Sequence, residues 1–242
     1  LLVRCFQYKA VFSHFVPQKG LDEKNLVCDF VLQDLEWLGH TRVIMKSGNE
    51  PAIQALVSRA IELAKIECKE FVQLSNEQSA AYDSQSNGGT EVGILLVRGL
   101  LRTTKLCLEA RIGKYIPVDH AIMPWMIEHV CLLLNVLVRG EDGLTPWQRV
   151  RGRPFGQQML GFGESILYRY PGKGPLHAPD GDVGALGAEG VFLGYSTGSN
   201  TFRVIGEQGL VAARSMTRRS CEARWDPDAL ANIHVTPSTH YV

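Results

Sequence analysis

The sequence predicts a mixed α/β layer followed by a small all-β module, and three observations carry that reading. From Leu1 to Leu108, short apolar runs alternate with amphipathic helical stretches in the order β-β-α-β-α-β-loop-α. Near Gly152 the composition changes to short apolar runs separated by turns rich in Gly, Pro, Ser and Asn. With 242 residues, 45% of them hydrophobic, the chain has apolar material for one large or two modest cores. The expected division is an α/β domain over 1–150, a β module over 155–225 and a frayed tail over 226–242.

Each element has its own local reason. Leu1–Phe6 and Ala10–Val16 are apolar runs around a polar break, which predicts a β-hairpin. There is no initiator Met and strand character is present at once, so the chain is expected to start inside a domain. Asp22 to Trp37 carries Leu26, Val27, Phe30, Val31 and Leu35 at helical spacing, and Gly39 ends the run. Arg42–Lys46 is a compact strand. A helix comes next, with Pro51 at an early position and Ile53, Leu56, Val57, Ala60, Ile61 and Ala64 facing inward. Glu70–Leu74 is a further strand, followed by a polar loop from Ser75 to Gly89. Beyond Ile116-Pro117 a long helical run passes through Trp125 and Leu132 to Leu137, and Thr145 caps a short helix with Pro146 at its first position. Ser165–Tyr168, Gly190–Tyr195, Thr201–Ile205 and Leu210–Ala213 are the strands of the β module, with a Gly/Pro-rich loop over Pro171–Gly187.

The segment that organises the chain is Tyr82 to Glu91, a Ser/Asn/Gly loop running into a helix that continues to Leu108 with Glu91 in its first turn. Glu91, Leu95, Arg98, Arg102 and Lys105 fall on one side of that helix. The stripe is open to two readings: a carboxylate held beside a phosphate backbone, or a solvated basic face with an acid suited to the helix dipole.

Composition excludes other classes. Formal net charge is zero, so any attraction to nucleic acid must come from local patches. Six cysteines without a CxxC pair and seven histidines without zinc-finger spacing argue against a structural zinc site and for reduced core cysteines of an intracellular protein. The most apolar run, Ile122–Val138, is interrupted by Glu128, His129 and Asn135, which argues against a membrane span. Glu128 and His129 read as one polar edge of a core helix, and Trp225 as packing for the β module. Arg149, Arg151 and Arg153, and more weakly Arg214, Arg218 and Arg219, are open between solvated charge and DNA-backbone contact.

Ser84-Gln85-Ser86-Asn87-Gly88-Gly89-Thr90-Glu91 resembles the S-x-x-N-G-x-x-E segment of retroviral and retrotransposon integrases. Leu134-Asn135, Thr145-Pro146-Trp147 and Gly152-Arg153-Pro154 are similar to the region downstream of that segment in Copia-type retrotransposon polyproteins. Phe162-Gly163 and Gly190–Tyr195 are similar to the "FG…gvFlGY" of the β module beyond it. The resemblance implies an RNase H-like integrase core (the retroviral integrase catalytic-core fold), incomplete at its N-terminus, followed by an SH3-like module. It further implies DNA integration by phosphoryl transfer, with carboxylates holding Mg²⁺ ions, DNA as partner through backbone contacts of low sequence specificity, homo-oligomers as in integrases, and a nuclear site of action. Glu91 matches the final catalytic carboxylate, and Asn87 and Gly88 match the loop before it. Arg98, Arg102 and Lys105 match no fixed motif position but suit phosphate contact.

The sequence departs from the family where the chemistry is most demanding. Lys46-Ser47-Gly48-Asn49-Glu50 places Gly48 where the second Asp belongs, and the strand bearing the first Asp is missing. With Glu91 as the only surviving carboxylate, paired Mg²⁺ ions are not expected to be held, and a catalytically inactive fragment of a decayed or incompletely predicted element is expected. The alternative is a domesticated or relic interaction module with no DNA processing. Loss of the central strand is expected either to let the hairpin slide against Arg42–Lys46 or to leave a split sheet.

Overall fold

The computed structural model describes residues 1–16, 18–68, 70–78, 88–170, 185–196, 198–207 and 209–237. The chain groups into two compact units: Leu1–Val97 with Leu133–Phe155, and Arg98–Leu132 with Gly156–Val242. Both long helices are therefore shared, whereas composition had suggested a break near Gly152.

The first unit begins with an antiparallel hairpin of β1 (Leu2–Arg4) and β2 (Val11–Ser13). Helix α1 (Leu26–Leu38) starts later than Asp22 because the Asp22 carboxylate accepts the N–H groups of Leu26 and Val27, each at 3.0 Å, and so acts as the cap. Gly39 ends it in the left-handed conformation, φ 66°. Strand β3 (Arg42–Ser47) leads to α2 (Pro51–Glu67), with Pro51 in the first turn, and then to β4 (Gln73–Gln78). Val27, Val31 and Leu35 of α1 pack with Leu56, Ala60, Ile61 and Ala64 of α2 and with Leu74.

One expectation changes here, and of the two outcomes expected for the hairpin the split sheet is the one found. Strand β4 lies three residues later than its apolar content suggested, because it pairs with β3 in parallel from Arg42↔Gln73 to Ser47↔Gln78. Its Ser75 and Glu77 stand opposite Ile44 and Lys46 on the face left to water, where polar residues are expected. The hairpin does not slide in: β1–β2 and β3–β4 form separate two-stranded sheets. The outer edge of β2 is closed by a side chain. Asn135 accepts the Val11 N–H through Oδ1 and donates Nδ2–H to the Val11 carbonyl, both at 2.8 Å. Helix α5 (Pro146–Arg151) has the expected Thr145 cap, completed by Gln148 into a capping box. Its Trp147 packs against Trp37 and Phe155.

Helices α3 (Gly88–Ile112) and α4 (Ile122–Leu137) each contribute residues to both units. The second unit adds an antiparallel sheet of β5 (Ser165–Arg169), β6 (Gly187–Ser196), β7 (Thr201–Gly206), β8 (Gly209–Ala213) and β9 (Met216–Arg218), in the spatial order β8-β7-β6-β5-β9. Between Phe192 and Gly194 the register of β6 shifts against β7, and Gly194, at φ 147°, takes the strained position. The bulge lets the consecutive residues Phe192 and Leu193 both be buried. Gly163, at φ 78°, leaves room for Leu108, whose methyl carbon would stand 3.0 Å from any added Cβ.

The expected frayed tail is packed through residue 237. Asp226 caps α6 (Pro227–Ala231), Leu230 and Ile233 are buried with Trp125 and Leu193, and Trp125 Nε1 donates to the Val235 carbonyl at 2.7 Å. Helical spacing is too short to show in five residues, which is why this segment read as aperiodic. Among the described residues no helix is long and apolar enough to cross a membrane.

Candidate functional site

Asn87 lies outside the described residues, and Gly88 opens α3. Glu91 stands exposed in the first turn. The surroundings of that turn are cationic: Arg4 on β1 donates from Nη1 to the Gly89 carbonyl, and burial pulls its guanidinium below the usual arginine range. A fixed positive charge at the turn that carries Glu91 opposes a dication there.

Gly48 comes directly after β3. A Cβ built on it would meet nothing within 4 Å, so a carboxylate would fit but none is present. Glu50 is engaged elsewhere, with Lys19 at 2.6 Å. No three His, Cys, Asp or Glu side chains among the described residues come together in a metal-binding group. The residues at this position do not fit a pair of Mg²⁺ ions.

The basic residues of α3 divide into two kinds. Arg98 and Arg102 are exposed and have no ion-pair partner among the described residues, and Leu95 beside them is 67% exposed. Lys105 is held: its Nζ lies 2.5 Å from Glu109 and 4.4 Å above the Tyr115 ring. Glu109 also accepts the Ile116 N–H, and that bond, with Lys105, lowers its pKa. An ammonium so engaged is a poorer phosphate ligand than two free guanidiniums.

Other arginines open to DNA contact are structural. Arg149 grips Asp142 with two bonds of 2.6 and 2.9 Å and donates to the Tyr8 carbonyl. Arg151 stacks over Trp37, and Arg218 and Arg219 pair with Glu164 and Glu189. Arg153 and Arg214 stay exposed. Trp225 packs as expected, under Arg111.

Sequence reasoning missed several polar centres. His14 and Asp34 meet at 2.8 Å in the first unit; burial raises the Asp34 pKa while the His14 hydrogen bond lowers it, and burial is the larger effect. Glu128 pairs with Arg203 at 2.6 Å, so it behaves as a polar edge, but its neighbour does not. His129 is 3% exposed among Phe162, Phe192 and Tyr195, and desolvation pulls its pKa down to about 4. Glu164, 1% exposed, lies between Arg218 at 2.9 Å and Arg224 at 3.2 Å and accepts the Gly161 N–H. None of these has a local sequence signal, because the partners lie 20 to 75 residues apart.

Solved integrase structures are similar to this chain. The catalytic core domain of BIV integrase matches with a TM-score of 0.41 and 19% identity, covering 62% of this chain and 82% of that one. The simian T-cell lymphotropic virus intasome, solved in complex with PP2A regulatory subunit B56 gamma, matches with a TM-score of 0.42 and 13% identity, covering 88% and 69%. Likeness of this degree assigns no function. No family model and no curated protein matches the chain.

Proposed function

We propose that this chain is the integrase region of a Copia-type retrotransposon polyprotein, an RNase H-like core followed by an SH3-like module, that retains DNA-backbone contact and has lost catalysis. The observation that carries the reading is the placement of the resembling residues on α3. Glu91 occupies its exposed first turn, with Arg98 and Arg102 exposed and uncommitted further along the helix. Phosphates are bound by such guanidiniums, and Gly88 opens the helix at the end of the motif loop. Among the described residues paired Mg²⁺ ions find no ligand set: Gly48 brings no side-chain oxygen, and the Arg4 guanidinium bonds to the turn that bears Glu91. Strand transfer is therefore absent, while nuclear DNA and self-association through the core remain the relevant partners.

The test is DNA binding by the whole chain at low and moderate salt, with and without Mg²⁺. The expected outcome is salt-sensitive, Mg²⁺-independent binding without strand cleavage. Replacing Arg98 and Arg102 by Glu should flatten the log-log salt dependence by about one unit for each phosphate no longer neutralised. Mg²⁺-dependent cleavage that disappears in Glu91→Gln would overturn the loss of catalysis. Absence of binding even at low salt would favour an interaction module, the reading that fits the zero formal net charge.

A further inference from the structure

In the turn that joins β1 to β2, the Cys5 N–H bonds to the Ala10 carbonyl at 2.9 Å, and Lys9 takes the left-handed conformation, φ 62°. That closure brings the Tyr8 N–H onto Cys5 Sγ, at 3.3 Å. Gly39 turns the chain out of α1, and His40 follows it with Nε2 3.5 Å from the same sulfur. The His40 ring is stacked on that of Tyr8, with centroids 4.4 Å apart and planes 13° from parallel. Arg149 fixes the turn by donating to the Tyr8 carbonyl at 2.8 Å.

Two polar groups therefore converge on one sulfur. A backbone N–H donates to it, which favours the thiolate over the thiol, and an imidazole nitrogen stands where it can take the proton. Desolvation pulls the His40 pKa below the ordinary histidine value, so the ring is neutral near pH 7, and its Nε2 is free to accept in the Nδ1–H tautomer. Cys5, Tyr8 and His40 are each half-buried rather than sealed.

The other thiols differ in access or in their neighbours. Cys28 and Cys131 are buried, and burial pushes the Cys28 thiol up to about 11. Cys68 donates to Glu36 at 3.5 Å, and burial together with that carboxylate raises its pKa. Cys107 and Cys221 are exposed, and neither sulfur has a hydrogen-bond partner among the described residues. Access without a base and a base with access are thus found in the same chain.

We infer that Cys5 is a nucleophilic thiol, with His40 as its base, and that it is a modification site for low-molecular-weight disulfides. His40 Nε2 takes the Cys5 proton, and the thiolate attacks one sulfur of the incoming disulfide. The new S–S bond forms as that of the reagent breaks, and the departing thiolate takes the proton back from His40. Cys5 is oxidised and the departing sulfur reduced, so no further oxidant is needed. The site shares no residue with the DNA-contact reading and stands apart from it.

The experiment follows mixed-disulfide formation at each cysteine of the whole reduced chain by peptide mass mapping at pH 7. The probe is bis(2-hydroxyethyl) disulfide, which is uncharged. Cys5 should react at least about tenfold faster than Cys107 and Cys221, the low end for an assisting base, while Cys28 and Cys131 stay protected. In concentrated urea the pairing is lost, and the rates of Cys5, Cys107 and Cys221 should fall within about twofold of one another. His40→Phe keeps a ring against Tyr8 and removes the base; it should slow Cys5 about tenfold and leave Cys107 unchanged. Protection of Cys28 and Cys131 shows that the variant is folded, and His40→Gln is read in its place where that protection is lost. A native Cys5 rate no greater than that of Cys107 and Cys221, an advantage that persists in urea, or a Cys5 rate unchanged in the folded variant overturns the inference.

Discussion

The parallel pair β3–β4 and the five-stranded sheet of the second unit distribute their side chains differently. On β3, Val43 and Met45 turn toward the α1–α2 core, while Arg42, Ile44 and Lys46 face outward, and Ile44 is 58% exposed. On β6, Val191 through Tyr195 are all buried, helped by the bulge at Gly194. β6 has strands on both sides, whereas among the described residues β3 pairs with β4 alone. Parallel strands are normally covered on both faces, so β3–β4 is the exposed end of the range. The contrast shows that apolar content alone does not decide which sheet becomes core; what decides is whether both faces of a strand are covered.

The largest effect that would sharpen this contrast is at Glu164. Replacing it by Ala leaves Arg218 and Arg224 without their shared counterion and should cost about 3 kcal/mol, the lower end for a broken buried pair because both arginines keep some access to water. Chemical denaturation measures the loss, and hydrogen exchange should place it in the second unit's sheet; equal loss of protection in β3–β4 would break the distinction.

Acid should act on the same unit. The folded pKa of His129 is about 4, below the ordinary histidine value, so between those values the unfolded chain binds a proton that the folded one refuses. Stability is therefore full above about pH 6.5 and falls as pH drops toward 4, by roughly 3 kcal/mol from a shift of that size. His129→Phe should flatten the profile, as followed by thermal melts across that window. An unchanged profile would show that another group controls it.

A smaller effect is expected at the hairpin. Asn135→Leu removes both bonds to Val11 and leaves a buried N–H and C=O unpaired, which should cost about 2 kcal/mol. The smallest is at the open face: Ile44→Thr should change stability by no more than about 0.5 kcal/mol. A loss several times larger would mean that this face is covered in solution.

Legibility in the sequence tracks the range of each interaction. Thr145-Pro146, Pro51 and Gly39 announced helix ends because capping is decided within a few residues. The buried residues of α2 were readable from a helical period that tertiary packing did not override. Strand β4 was placed too early because an apolar run marks where a strand is buried, and Ser75 to Gln78 is ordered by pairing with β3 instead. On α3 the spacing put Glu91, Leu95, Arg98, Arg102 and Lys105 on one side; the first four are exposed, and the spacing could not show that Lys105 turns to Glu109 and Tyr115. His129 read as polar because a single residue type does not reveal three aromatic rings supplied by distant segments.

Asn135 bears on how copies of this chain could polymerise. Its carboxamide stands where the peptide group of a next strand would stand, on the far side of Val11 from β1. Lateral growth from β2 is blocked at that residue by an imitation of its own backbone, and only the other strand edges are left to template another chain. Removing that amide would do more than weaken the hairpin. It would add one more edge to those at which another copy can already pair.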